Sequence, residues 1–173
     1  MLDLQVLVDA TTTFVKENQS LAPVVVFALA FGESLAVVSF FIPATVLLLA
    51  IGALVEASGI SFFNIWLAAA IGATLGDAVS YWLGFHYKER ARTFWPLNKR
   101  PDLVARAEHF FDRFGIWSVA IGRFFGPIRA VVPLVAGILA MRHSHFQIAN
   151  VTSAAVWAFV MLAPGAMALK LIE

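Results

Sequence analysis

Apolar and polar positions alternate along this chain in blocks rather than in turns. Residues 18–55 contain a single ionisable side chain, Glu33, and residues 57–87 contain Asp77 and, near the end, His86. A polar, mostly basic stretch covers 88–113, and 114–141 is apolar apart from Arg123 and Arg129. Residues 143–169 carry no charge beyond two histidines. A membrane-crossing helix needs about 20 apolar residues, which predicts single spanning helices over 62–86 and 146–169. The stretch 21–55 is too long for one helix and too short for two spans plus a turn, and Pro43 interrupts its middle by removing a backbone donor. A re-entrant hairpin fits it better, with its irregular backbone shielded by protein or a cavity. Residues 116–141 repeat the problem, with breaks at Gly126-Pro127 and Pro133. The expectation is an all-α integral membrane fold of one domain. It has two re-entrant hairpins, each followed by a transmembrane helix, and amphipathic helices at the interface.

The two broken segments correspond. Glu33 precedes Pro43 by ten residues, and Arg123 precedes Pro133 by ten, an offset of 90 between the halves. Each is followed by a polar link, a phenylalanine, an asparagine and an apolar helix. The alternative is coincidence between two Gly/Pro-rich runs. Interrupted apolar segments at matching places in two halves point to a transport site at the interface of an inverted repeat.

Composition strengthens the membrane reading: 61% of residues are hydrophobic and 13% charged, and the mean hydropathy is +0.84. Soluble domains have about 45–50% apolar and about 25% charged residues. The connector from Lys88 to Phe114 holds seven Lys/Arg against four acids, which predicts a cytoplasmic location. Within it Leu103, Ala107, Phe110, Phe111 and Phe114 recur at helical spacing, an amphipathic helix for the interface. Residues 1–20 form a weaker example, and lack the basic cap of a cleavable signal. Trp66, Trp82, Trp95 and Trp117 read as interface anchors.

Chemistry narrows further. With no cysteine, disulfides and thiolate metal sites are excluded. The four histidines have poor ligand spacing, so neither a metal nor another cofactor is expected. No serine–histidine–acid set, HExxH or phosphate-cradling loop is present, so no enzyme is expected either. What remains is Glu33, Asp77, Arg123 and Arg129 at or near membrane depth, where each charge costs about 2.5–3.5 kcal/mol even on a permissive scale. One reading is a structural ion-pair cluster. Another makes Arg123 and Arg129 a clamp for a phosphate, since the guanidinium fork binds phosphate bidentately. A third makes Glu33 and Asp77 proton carriers for proton-coupled transport of small cations or drugs. Ala68, Gly72, Gly76, Ser80 and Gly84 form a small-residue face on the 62–86 helix that suits close helix packing, within the chain or in a homo-oligomer. Asn150, Ser153, Ala154 and Trp157 form a comparable packing face on the last helix.

The blocks "FGES", "FIPATVLLLAIGAL", "GATLGDAVSYWLG", "GRFFGPIRAVVPLVAG" and "FQIANVTSAAVW" together resemble the DedA family, also called the SNARE-associated or VTT-domain family. The resemblance covers roughly residues 25–170. It implies facing re-entrant hairpins and movement of lipids between leaflets. For bacterial members that lipid is undecaprenyl phosphate, the carrier for envelope polymers, recycled across the inner membrane. The expected partners are thus membrane lipids, above all polyprenyl phosphate, and no nucleic acid. It also implies functional roles for Glu33, Asp77, Arg123 and Arg129. One departure is plain: many members read Pro-Gly-Glu in the first hairpin, where this chain reads Pro43-Ala44-Thr45. Thr45 therefore stands in place of a second hairpin acid.

Overall fold

In the computed structural model, residues 4–35, 44–58, 60–93, 97–125 and 128–170 are described, and among them all regular structure is helical. Two long helices form the frame: α4 (Phe62–Tyr87) and α8 (His143–Lys170), with α1 (Leu4–Glu17), α2 (Ala22–Ser34) and α3 (Ala44–Ser58) preceding α4. Between the long helices come α5 (Pro101–Phe114), α6 (Ser118–Gly122) and α7 (Val132–Ile138), with short 3-10 turns before and after α5. At 26 and 28 residues, α4 and α8 rise about 39 and 42 Å, against a hydrocarbon core of about 30 Å. The last helix begins at His143, three residues before the predicted start.

α4 and α8 run antiparallel in close contact. Tyr81 stacks on Phe146 at 4.2 Å, Asn150 donates to the Thr74 carbonyl, and Phe62 meets Phe159 edge-on. Neither helix has a polar face. The outward stripe of α4 is Phe63, Leu67, Ile71, Leu75, Val79 and Trp82, all exposed, while Ile65, Ala69, Ala73 and Tyr81 face inward. On α8, Ile148, Val151, Val156 and Phe159 are exposed in the same way. A helix apolar all round, with half its surface uncovered by protein, belongs in lipid.

Among the described residues, helix ends short of each predicted break. α2 ends at Ser34 and Leu35 turns to extended backbone, and α3 starts at Ala44. α6 stops at Gly122 and α7 does not start until Val132, with Pro133 buried in its first turn. Pro43, Gly126 and Pro127 lie outside the described residues; Thr45 lies in the first turn of α3, its side chain outside them. At 13 and 15 residues, α2 and α3 rise only about 20 and 22 Å.

Each fragment leans on a long helix. α2 and α7 pack on α4, whereas α3 and α6 pack on α8. Two crossings bring backbones almost into contact through glycine. A Cβ at Gly52 of α3 would lie 2.6 Å from the Leu162 carbonyl oxygen, and one at Gly165 of α8 2.6 Å from that of Leu49. In the α4–α7 crossing, Gly84 meets the Leu134 carbonyl and Gly137 meets that of Tyr81. In all four contacts the carbonyl belongs to the residue three before the opposing glycine. The two crossings therefore have the same local construction. The small-residue face of α4 is filled within the chain: Gly72 and Gly76 sit against the carbonyls of Phe27 and Phe31, and Ser80 donates to the Ser34 carbonyl at 3.2 Å.

Two sequence expectations shift in detail. The apolar stripe of α5 turns Leu103, Val104 and Ala107 into a protein core shared with α7, leaving Phe110 and Phe114 partly open at its edge. Trp66 is half-buried and donates its indole N–H to the Ala155 carbonyl at 2.9 Å, whereas Trp82 and Trp117 are exposed.

Gly72→Ala should destabilise the fold by about 1–3 kcal/mol, because its Cβ meets backbone rather than a yielding side chain. Ile71→Ala on the exposed stripe should change little. Thermal unfolding of both proteins in detergent, followed by tryptophan fluorescence, checks the contrast.

Candidate functional site

The inward faces of α4 and α8 change character along their length. At one end Ile65, Ala69 and Ala73 join Ala154, Trp157 and Leu162 in an apolar core with α1, α2 and α3. At the other end Tyr81 and Phe146 join Val132, Leu134 and Val135 of α7 in a second core. Between the two lie Asp77, Asn150 and Ser153, all buried. The four charges singled out in the sequence meet at this waist.

Each arrives from a different element. Glu33 sits in the last turn of α2, just before the chain leaves helical geometry. Asp77 lies near the middle of α4. Arg123 follows the last residue of α6, and Arg129 lies in the turns that precede α7. Interruption of the helices is what permits this convergence, since an uninterrupted span would carry these residues past one another.

The charges pair one to one. Arg123 donates from Nη2 to Asp77 Oδ2, and Arg129 donates from Nη1 to Glu33 Oε1 at 2.9 Å. Their surroundings differ. Arg123 also donates to Asn150 Oδ1 at 2.6 Å and, through Nε, to Ser153 Oγ at 3.0 Å. Asn150 is held in turn by its own donation to the Thr74 carbonyl at 3.0 Å. Arg123 is thus locked by α4 and α8 together. Arg129 instead lies over the Trp157 ring, 4.5 Å from guanidinium carbon to centroid, a favourable cation–π placement. Among the described residues its buried Nη2 has no hydrogen-bond partner. A buried guanidinium nitrogen without an acceptor is costly, and it marks a place where an anion's oxygen would be welcome.

Asn150, Ser153 and Trp157 therefore belong to the charged layer and not merely to helix packing. The signal available in the sequence was that Asn150 and Ser153 are polar residues one turn apart on the face that also carries Ala154 and Trp157.

Comparison with known proteins finds one family profile and several membrane-protein relatives. The VTT domain profile matches residues 42–167. The inner membrane protein YabI of Escherichia coli is 34% identical over 155 residues, covering 90% of this chain and 61% of that protein. An uncharacterized membrane protein of Buchnera aphidicola is 29% identical over 154 residues, 89% of this chain and 60% of its own length. The inner membrane protein YqjA of Escherichia coli is 29% identical over 147 residues, covering 83% and 66%. The chain thus spans about three-fifths to two-thirds of the length of these relatives. No solved structure matches it.

Removing one member of a buried pair strands the other. Asp77→Ala should cost about 3–5 kcal/mol of stability, and adding Arg123→Met to it should recover much of the loss. Unfolding of the two single variants and the double variant, compared as a thermodynamic cycle, measures the coupling.

Proposed function

Because the chain belongs to the VTT-domain (DedA) family, we propose that it is a lipid translocase of the bacterial inner membrane, moving polyprenyl phosphate between leaflets, with undecaprenyl phosphate the preferred cargo. The observation that carries this reading is the unequal state of the two arginines. Arg123 is engaged by Asp77, Asn150 and Ser153, so it holds the fold together. Among the described residues Arg129 keeps one buried nitrogen unpartnered, so it is the group that receives the phosphate.

The steps follow from this geometry. In the resting state Glu33 neutralises Arg129. A phosphate entering the waist takes Nη2 first and then competes with Glu33 for Nη1, giving the two-pronged contact that guanidinium favours. Trp157 stays beneath the guanidinium and keeps its plane fixed while the counter-ion changes. The polyprenyl tail remains in lipid against the exposed apolar faces of α4 and α8.

Topology supports this use of the site. The short α2 and α3, and the shorter α6 and α7, are read as two re-entrant hairpins that dip from opposite sides. The duplicated glycine crossing supports an inverted repeat, with α3 of one half on α8 of the other and α7 on α4. The basic connector faces the cytoplasm under the positive-inside rule.

The test is flipping of polyprenyl phosphate in proteoliposomes. Loss of a charge-assisted contact worth about 1.5–3 kcal/mol predicts that Arg129→Gln slows transport roughly 10- to 100-fold, and that the double variant Glu33→Gln/Arg129→Gln, which leaves neither member of that pair charged and stranded, stays folded yet transports no faster. Transport at the wild-type rate by a well-folded Arg129→Gln protein would overturn the assignment.

A further inference from the structure

Away from the charged layer, the end of the α4–α8 pair nearest the basic connector holds a cavity of about 600 Å³. Its walls include Tyr81, Trp82 and Phe85 from α4, and Arg142, His143 and Gln147 from the start of α8 and the residue before it. We propose that this cavity is a docking site for an anionic phospholipid of the surrounding leaflet, with the phosphate on Arg142 and the glycerol and upper chains against Trp82 and Phe85. The inference rests on the membrane reading of the chain but not on transport or on Arg129.

Three observations lead to that occupant. First, the cavity is continuous with the lipid-facing stripe of α4, because Val79, Trp82 and Phe85 are all exposed. Whatever fills it comes from the bilayer side. Second, Arg142 lines it, and among the described residues no carboxylate does. Aromatic rings beside a guanidinium at a helix end suit the depth of lipid headgroups, and arginine there attracts anionic lipid. Third, the walls are built in advance. Tyr81 donates to the Met141 carbonyl at 2.6 Å and stacks on Phe146. α7 closes with paired backbone bonds from Ala140 to Gly137 (2.9 Å) and from Met141 to Ala136 (3.0 Å). That closure sets Ala140 at φ 52°, a left-handed conformation usually left to glycine. A volume of this size is typical of small-molecule sites and holds a headgroup with the first part of its chains.

The site also touches the charged layer. Gln147 in its wall accepts from Asn150 Nδ2 at 3.4 Å, and Asn150 Oδ1 accepts from Arg123. A docked headgroup therefore lies one side-chain relay away from the waist.

Native mass spectrometry of the whole chain, released from micelles containing equal phosphatidylglycerol and phosphatidylcholine, tests this. The wild type should retain phosphatidylglycerol in preference. Arg142→Gln, at an exposed position that folding tolerates, should reduce that preference about fivefold. Ala78→Trp, which fills the cavity without changing charge, should do the same. Arg129→Gln should keep the adduct, which separates this site from the buried one. Equal retention of both lipids by the wild type would overturn the proposal. So would an adduct that survives both cavity variants, or one lost in Arg129→Gln. Displacement of the lipid by excess inorganic phosphate would assign the contact to a free anion and overturn it as well.

Discussion

Everything in this structure follows from having to neutralise four charges inside an apolar bundle. An isolated buried charge costs several kcal/mol, and only a partner with good geometry offsets it. Here Asp77 with Arg123 and Glu33 with Arg129 satisfy that requirement. Because the partners are 46 and 96 residues apart, the pairs also fix the tertiary fold. They tie α2 to the turns before α7, and α4 to the end of α6. Apolar packing above and below the layer could slide; the ion pairs give it register.

Broken helices are the second consequence. A chain leaving helical geometry in lipid exposes backbone groups that need partners, so it survives only when protein surrounds it. α4 and α8 supply that protein, and glycine lets the fragments approach until backbone meets backbone. Gly52 with Gly165 and Gly84 with Gly137 do this in the same way at two places. Equal crossings at two places give the charged layer similar support from above and below. Among the described residues, the waist leaves one nitrogen of Arg129 without an acceptor, set over Trp157 and beside Glu33.

Much of this was legible in the sequence, and for a physical reason. In a chain with so few charges, each buried one stands out, so Glu33, Asp77, Arg123 and Arg129 could be singled out before any contact was known. The end of α2 at Ser34 and of α6 at Gly122 fit the sequence's glycines, prolines and segment lengths. The pairing was not: periodicity tells which face a residue occupies, not which distant face meets it. For the same reason the two arginines looked equivalent, while the structure separates them by what α8 offers each. Asn150 and Ser153 read as packing because a polar residue in an apolar helix can satisfy its own backbone. Leu103 and Ala107 suited a membrane surface as well as a protein core, and only the position of α7 decides between them.

The central claim is that phosphate binds at Arg129 and not at Arg123. Its most direct measurement is phosphorus–nitrogen dipolar recoupling by solid-state NMR, on arginine-labelled protein in bilayers containing polyprenyl phosphate, with a lipid background free of other phosphorus. The account predicts contact between the phosphorus and the side-chain nitrogens of a single buried arginine, abolished by Arg129→Gln. Contact that persists in that variant, or that requires breaking the Asp77–Arg123 pair, would contradict it.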